Sequence, residues 1–251
     1  MAQAGSLTGK AALVTGSTRN LGLAIAGQLA AAGADIMLNY HHPARKAEAG
    51  QAAAATAAHG TRVLACEADV TTPAGVASLF DATASAFGRV DIVVNNAGVV
   101  AKKPIAQTTD DDYDRAFAVN AKAAFLVMRE AARRIEDGGR VINIITSIVA
   151  FTIPCYGVYA ASKGAVEHMT KALAKEIGHR SVTVNCVAPG PMNTSFYYPV
   201  EDQASIAGAK SRSIGDRLAE TGDVAPLVAF LCTEQGSWIT AQTIRVNGGM
   251  A

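Results

Sequence analysis

The chain has 251 residues, of which 50% are hydrophobic and 17% charged, and its formal net charge at pH 7 is +1. This composition excludes a disordered chain, and the lack of a basic cluster excludes an electrostatic nucleic-acid surface. Four scattered cysteines, no apolar run of membrane-spanning length and no signal-peptide pattern at the N-terminus predict a cytoplasmic protein with reduced thiols and no membrane partner.

Short apolar runs alternate with amphipathic segments in the first half of the chain. The apolar runs stop at turn residues, as strands buried on both faces of a sheet do. They predict strands at 11–15, 35–40, 62–66 and 90–94. The segments between them predict helices that end at Gly33, at about residue 59 and at residue 87.

The second half continues this alternation. It predicts a long helix from 109 to about 135, strands at 141–145, 182–187 and 243–246, and helices at 156–177 and 225–233. Seven strands separated by helices predict an α/β fold: one doubly wound parallel sheet with helices on both faces, in a single domain over residues 1–251. Residues 189–217 are rich in Pro, Ser and Tyr with weak periodicity, which predicts a substrate-binding loop or lid.

A glycine-rich turn follows the first strand, with the sequence T-G-S-T-R-N-L-G over residues 15–22. It stands before an amphipathic helix, whose N-terminus offers free N–H groups and a positive dipole end to a phosphate. Asn20 occupies the place of a third glycine, and asparagine tolerates the left-handed conformation better than most residues. The turn predicts a dinucleotide-binding site, with a purely structural turn as the alternative.

Tyr159 and Lys163 stand four residues apart in a predicted helix, which places both side chains on one face. A free tyrosine titrates near pH 10 and is a weak acid-base catalyst at neutral pH. An ammonium group about 4 Å away favours the tyrosinate and lowers that pKa, which suits proton exchange with a carbonyl or an alcohol. A solvated Tyr–Lys pair on a surface helix is the alternative.

Further motifs stand in a fixed order along the chain. Asp69 follows the third strand, N-N-A-G ends the fourth at 95–98, Ser147 ends the fifth and Pro189-Gly190 follows the sixth. With the T-G-x-x-x-G-x-G-like turn, Asn120 and the Tyr159/Lys163 pair, this pattern resembles the short-chain dehydrogenases/reductases over residues 7 to 249. The resemblance implies a Rossmann fold. Two features depart from the family pattern: Asn20 replaces the middle glycine, and only 12 positions separate Ser147 from Tyr159.

The resemblance implies a role for each catalytic residue. Tyr159 would be the general acid in reduction and the base in oxidation, and Lys163 would lower its pKa and bind the nicotinamide ribose. Ser147 would hold the substrate oxygen, and Asn120 would anchor a water in a proton relay. The residues expected to bind the cofactor are Gly16, Ser17, Thr18, Arg19, Asn20, Leu21, Gly22, Tyr40, His41, Asp69, Val70, Asn96, Ala97, Gly98, Tyr159, Lys163, Pro189, Gly190 and Thr194.

The end of the second strand indicates which nicotinamide cofactor binds. A site for NAD usually places an acidic residue there to bind the ribose 2′-hydroxyl, and residues 38–42 contain none. Arg19 in the turn suits a 2′-phosphate, although it could also be a solvated side chain. The sequence therefore predicts NADPH in preference to NADH. His41 and His42 have no third ligand at a suitable spacing, so no metal site is expected.

The function implied by the resemblance is reduction of a ketone or 3-oxo carbonyl to an alcohol with NADPH. The C-terminal segment 244–249 is similar to that of 3-oxoacyl-carrier-protein reductases, and Phe151 with the aromatic run 196–198 suggests a pocket for apolar substrates. An alcohol, polyol or steroid dehydrogenase working in oxidation is one alternative, and a non-catalytic nucleotide sensor is another. Family members usually form homotetramers, so a homotetramer is expected. Asp69 could instead only cap the turn before Pro73.

Overall fold

The computed structural model describes residues 5–151 and 153–250. Seven strands in this part of the chain form one sheet in which all neighbouring strands are parallel. The strands are β1 (Ala11–Val14), β2 (Asp35–Tyr40), β3 (Val63–Glu67), β4 (Ile92–Asn95), β5 (Arg140–Ile144), β6 (Thr183–Pro189) and β7 (Thr243–Val246). Their spatial order is β3-β2-β1-β4-β5-β6-β7, so the predicted doubly wound Rossmann sheet is confirmed.

Eight α-helices are present in the same part of the chain. They are α1 (Asn20–Ala31), α2 (Lys46–Ala57), α3 (Pro73–Phe87), α4 (Asp110–Phe117), α5 (Ala123–Arg134), α6 (Gly157–Glu176), α7 (Gln203–Ser211) and α8 (Thr221–Cys232). Local sequence sets several of these limits. Thr109 and Asp112 form a capping box at the start of α4, and Gly88 ends α3 in the left-handed conformation. No helix in the described residues is long and apolar enough to cross a membrane.

Each face of the sheet carries its own apolar layer. Successive side chains of a strand point to opposite faces, so Leu13 of β1 enters one layer and Val14 enters the other. Helices α3, α5 and α6 cover the first layer, and α1, α2 and α8 cover the second. Strand order reverses between β1 and β4, and in such sheets the carboxyl ends of the two strands open a crevice where ligands bind.

Several elements are shifted by one or two residues from the predicted limits, and three differ more substantially. The expected helix from 109 to 135 is interrupted by a π turn, Ala118–Lys122, whose Asn120 side chain is bonded to the backbone of Val99. The expected loop 189–217 contains α7, of which only Ile206 and Ala209 are buried, so its apolar periodicity is weak. Helix α8 begins at Thr221 rather than near 225, because Glu220 and Asp223 form a capping box ahead of Pro226.

Candidate active site

One cavity of about 1170 Å³ lies where the ends of β1, β4, β5 and β6 meet the segment 189–217. Most of the residues predicted to bind the cofactor or react with substrate line this cavity. They are Gly16, Thr18, Arg19, Asn20, Leu21, Gly22, His41, Asp69, Val70, Asn96, Ala97, Gly98, Ser147, Tyr159, Lys163, Pro189, Gly190 and Thr194. The structure therefore brings together residues from almost the full length of the chain.

Two predicted cofactor residues, Ser17 and Tyr40, do not line the cavity. The Ser17 hydroxyl is fully buried, where it donates to the carbonyl of Val14 at 2.7 Å and accepts from the N–H of Asn39 at 3.1 Å. Tyr40 is 7% exposed at the end of β2. Their expected direct contact with the cofactor is not supported by these positions, and Ser17 instead joins β1 to β2.

The backbone of the glycine-rich turn is packed too closely around Gly22 to admit a side chain there. A Cβ on Gly22 would lie 2.6 Å from the carbonyl oxygen of Gly16 and 2.8 Å from Cα of Ser17. Asn20 has φ 49°, the left-handed conformation expected for the residue that replaces glycine. Helix α1 begins at this point, and no side chain caps it. Its first N–H groups are therefore available to a phosphate.

Ser147, Tyr159 and Lys163 line the cavity as a buried group. Ser147 begins a short 3₁₀ turn after β5, and its Oγ donates to the carbonyl of Ala188 at 2.8 Å. Tyr159 and Lys163 lie one turn apart on α6, and Nζ of Lys163 donates to the carbonyl of Ile144 at 2.9 Å. Main-chain oxygens of β5 and β6 therefore fix two of the three side chains.

Asn120 lies behind the cavity wall and is 1% exposed. Its amide exchanges two hydrogen bonds of 2.9 Å with the backbone of Val99 and donates to Oγ of Ser162 at 3.0 Å. A Cβ on Gly98 would lie 3.1 Å from Oδ1 of Asn120 and 3.2 Å from Nζ of Lys163. Asn120 is thus a neighbour of Lys163 that fixes the loop after β4.

Comparisons with known proteins agree with this geometry. Residues 16–251 match a family model described as enoyl-(acyl carrier protein) reductase. A short-chain type dehydrogenase/reductase from Picea abies is 46% identical and aligns over 97% of this chain and 93% of its own length. The chain belongs to the short-chain dehydrogenase/reductase family. The predicted family, and an oxidoreductase that uses a nicotinamide cofactor, are therefore confirmed, and the non-catalytic alternative is set aside.

Two further relatives of this short-chain dehydrogenase/reductase bear on the cofactor. A chloroplastic NADPH-dependent aldehyde reductase-like protein from Arabidopsis thaliana is 42% identical, over 97% of this chain and 94% of its own. A crystal structure from Burkholderia cenocepacia with bound NADP superimposes with a TM-score of 0.93 at 40% identity, covering 99% of this chain and 96% of that one. Both match nearly the whole enzyme, so the similarity includes the cavity.

Burial sets the protonation of the two residues on α6. Desolvation raises the pKa of Tyr159 to about 12, against a hydrogen bond from Thr146, and lowers the pKa of Lys163 to about 8. Burial of the phenol outweighs the hydrogen bond from Thr146, and Nζ of Lys163 donates to the carbonyl of Ile144, so the lowering of the Tyr159 pKa by Lys163 stays a prediction. Tyr159 consequently remains a proton donor at neutral pH.

The wall around the second strand contains a residue that sequence reasoning missed. Asn39 lines the cavity, accepts from the N–H of Gly16 at 3.2 Å and donates to the carbonyl of Ala68 at 3.1 Å. The sequence does contain a signal for Asn39, because it is a polar residue next to the apolar run of β2. Asp69 lines the cavity and also accepts from the N–H and hydroxyl of Thr71, while Thr72 caps α3, so Asp69 both faces the cavity and shapes the turn.

Charged residues near the glycine-rich turn differ in how they are paired. Arg19 is exposed, lines the cavity and has no ion pair within residues 5–151 and 153–250. Arg45 is paired with Glu48 at 2.8 Å. Asp35 lies at the far end of β2, where its carboxylate accepts from Nε of Arg62 at 2.9 Å. The cavity wall thus has a free guanidinium where the sequence predicted one, and Asp35 is already engaged elsewhere.

The segment 189–217 supplies a wall that is partly apolar. Met192, Phe196 and Tyr197 line the cavity, whereas Tyr198 does not. Oγ1 of Thr194 is buried without a hydrogen-bond partner in the described part of the chain. An unsatisfied hydroxyl at a cavity wall fits a ligand with a polar amide, as the nicotinamide carboxamide is.

Proposed function

We propose that this enzyme reduces a ketone or 3-oxo carbonyl compound to a secondary alcohol with NADPH. The observation that carries the proposal is one cavity lined both by the glycine-rich turn and by Ser147 and Tyr159. When bound, NADPH supplies a hydride to the carbonyl carbon. The chain itself then has to polarise the carbonyl oxygen and deliver a proton to it.

The buried side chains suit these two tasks. Tyr159 is the general acid, because burial keeps its hydroxyl protonated, and Ser147 turns its hydroxyl from Ala188 to the substrate oxygen. Lys163 binds the nicotinamide ribose, and Asn120 holds a water that passes protons towards Lys163. The proximity of Asn120 and Lys163 across Gly98 supports this relay.

NADPH is the preferred cofactor in this proposal. The exposed guanidinium of Arg19 on the cavity wall can pair with a 2′-phosphate, and no acidic residue stands at the carboxyl end of β2 to bind a 2′-hydroxyl. Arg19→Ala should raise the Kd for NADPH by about tenfold and leave that for NADH within about twofold. Arg133→Ala, which removes an exposed arginine elsewhere, is the control. Equal effects on both cofactors would contradict the role of Arg19.

Residues 189–217 form the substrate-binding wall, and the enzyme assembles as a homotetramer. Tyr113 of α4 and Phe125 of α5 are 47% and 44% exposed, which supports burial of these helices between subunits. Light scattering after size-exclusion chromatography measures the mass, and a 25.8 kDa monomer would contradict the tetramer.

A cytoplasmic location stays a prediction, which fractionation of the source cells can test.

The activity is tested by following NADPH absorbance with a panel of ketones, diketones and 3-oxo esters. Tyr159→Phe should lower kcat by at least about 100-fold and leave the Kd for NADPH nearly unchanged, because only the proton donor is lost. Tyr113→Phe, which alters an exposed tyrosine on α4, is the matched control. Full activity of Tyr159→Phe would contradict the assignment. Turnover of alcohols alone with NADP⁺ would favour the dehydrogenase alternative.

A further inference from the structure

A cluster of three polar side chains, Lys102, Glu201 and Tyr156, lines the cavity beside the reacting residues. Nζ of Lys102 donates to Oε2 of Glu201 at 2.7 Å, and the hydroxyl of Tyr156 donates to Oε1. The side chain of Glu201 is 3% exposed and that of Lys102 is 22% exposed. The cluster joins the loop after β4, the start of α6 and the segment 189–217.

Holding two chain segments together does not by itself explain why this cluster contains two buried charges. Burial of a carboxylate and an ammonium group is costly, and well-packed apolar residues often hold two segments together as firmly as a buried ion pair does. The surrounding wall is largely apolar, with Phe151, Ile153 and Phe196. An ion pair retained in such a wall favours a role in recognising a polar group.

The hydrogen-bonding capacity of the cluster is only partly used. An ammonium group has three N–H donors, and in the described part of the chain Lys102 gives one of them, to Glu201. The hydrogen of Tyr156 is committed to Glu201, and burial together with the Glu201 carboxylate raises the pKa of Tyr156. Tyr156 therefore stays neutral and has no proton to donate, so only Lys102 can donate to a ligand.

The cluster is also close to the reacting centre. The ring centroids of Tyr156 and Tyr159 are 6.1 Å apart. Nζ of Lys102 lies 5.7 Å from the centroid of the Tyr156 ring. Lys102 and Tyr159 are thus both neighbours of the Tyr156 ring, so a substrate that extends along the cavity from Tyr159 past Tyr156 approaches Lys102.

We infer that Lys102, held by Glu201 and Tyr156, is a specificity-determining residue that binds a second acceptor oxygen of the substrate. The preferred substrate class is a carbonyl compound with a further carbonyl, ester or carboxylate oxygen a few bonds from the reacting carbon. This inference rests on the proposed reductase function and narrows its substrate. It also separates the two tyrosines: Tyr159 reacts, and Tyr156 positions Glu201.

Two substrates of equal chain length test this inference. Ethyl 3-oxobutanoate and heptan-2-one each have a seven-atom chain with the ketone at the second carbon, and only the ester has further oxygens. Lys102→Met/Glu201→Gln removes both charges without leaving either one buried and unpaired. This double variant should lower kcat/KM for the ester by about tenfold or more, mainly through KM, and change that for heptan-2-one by less than about twofold. Tyr156→Phe should act in the same direction with a smaller effect.

Lys103→Met is the matched control, because Lys103 pairs with Asp112 at 2.5 Å on the surface and does not line the cavity. It should leave both substrates unchanged. If heptan-2-one binds without turnover, its inhibition constant against the ester replaces kcat/KM. Equal losses of kcat/KM for both substrates in the double variant, with or without a lowered thermal midpoint, would overturn the inference and leave the reductase proposal standing. Absence of turnover of any carbonyl compound by the wild type would overturn the reductase proposal itself.

Discussion

Two groups of residues line the same cavity but are held in different ways: the proposed reacting side chains and the segment 189–217, the proposed substrate segment. Ser147 and Lys163 are 1% and 5% exposed, and each donates to a main-chain carbonyl of the central sheet. In the segment 189–217, Phe196 is 37% exposed, and Ser195 and Glu201 contact the rest of the enzyme through side chains. The sheet thus fixes Ser147 and Lys163, and the segment 189–217 uses individual side-chain contacts.

Under the proposed function, this difference separates the chemistry of the enzyme from its selectivity. Strands β5 and β6 hold the Ser147 hydroxyl and the Lys163 ammonium group, so changes in the substrate segment can leave them in place. Contacts such as those of Ser195 and Glu201 can be altered one at a time. Substitutions in the first region should therefore affect stability and turnover together, and substitutions in the second should affect binding.

Gly22→Ala, in the glycine-rich turn after β1, should have the largest effect on stability. The new Cβ would meet the carbonyl oxygen of Gly16 and Cα of Ser17 within 2.8 Å, and backbone atoms cannot move aside cheaply. We expect the free energy of unfolding to fall by roughly 1–3 kcal/mol and the NADPH affinity to fall with it. Denaturant unfolding and fluorescence titration measure both quantities.

Gly27→Ala is the matched control on the same helix. Nothing lies within 4 Å of a Cβ at Gly27, so alanine should raise the free energy of unfolding by roughly 0.5–1 kcal/mol through its helix propensity. If the two substitutions have the same effect, close packing of the glycine-rich turn is not what holds this region.

Lys163→Met tests the desolvation of the buried ammonium group. The pKa of Lys163 is about 8 in the fold and 10.5 when unperturbed, so below pH 8 the folded enzyme carries the full cost of a buried charge. The variant should lack activity and be more stable than wild type at pH 7, by up to roughly 3 kcal/mol less the lost hydrogen bond to Ile144. Between pH 8 and 10.5 the folded enzyme loses the proton that the unfolded chain keeps, so the stability gap should narrow.

Urea unfolding across pH 7 to 10.5 measures that gap. Lys171→Met, which removes a lysine paired with Glu167 on the exposed side of the same helix, should leave the pH dependence of the wild type intact. A Lys163→Met stability gap that stays constant or widens with pH would show that the buried ammonium group carries no such cost.

Ser195→Ala should have the smallest effect, because it removes one exposed contact between the substrate segment and the glycine-rich turn. The Ser195 hydroxyl and the Asn20 amide form an exposed pair at 3.0 Å that joins this segment to the glycine-rich turn. Its loss should raise the Kd for NADPH by about two- to fivefold and change the free energy of unfolding by less than about 0.5 kcal/mol. Ser211→Ala, whose hydroxyl bonds within α7, is the control. If Ser195→Ala shifts the unfolding midpoint as far as Gly22→Ala does, the proposed difference between the two regions is wrong.

Much of the fold could be predicted from local sequence. The observed limits of β2 and β7 and the end of α3 coincide with the predicted ones, because adjacent residues determine apolar runs and helix caps. The π turn could not be predicted, since it accompanies a contact between Asn120 and Val99, which are 21 positions apart. Helix α7 was missed because a small helix on the surface buries too few side chains to show a period.

The candidate site shows the same division. Tyr159 and Lys163 were found together because they share a helix face, and the glycine-rich turn because its residues are contiguous. The pairing of Lys102 with Glu201, 99 positions later, depends on how the substrate segment folds back, which no local pattern records. In β2, position at the strand end predicts a cofactor contact for Tyr40, whereas the alternation of side chains along the strand puts its neighbour Asn39 on the cavity wall.

The acceptors that hold Ser147 and Lys163 are the carbonyl oxygens of Ala188 and Ile144. Every amino acid carries such an oxygen, so no codon change at either position can delete the acceptor. A mutation at Ala188 or Ile144 can only reshape the surroundings of that oxygen, whereas one codon change at Lys102 or Glu201 deletes a partner of their ion pair outright. Inherited variation at Ala188 and Ile144 therefore preserves the acceptors of Ser147 and Lys163, and the pairing of Lys102 with Glu201 has no such protection.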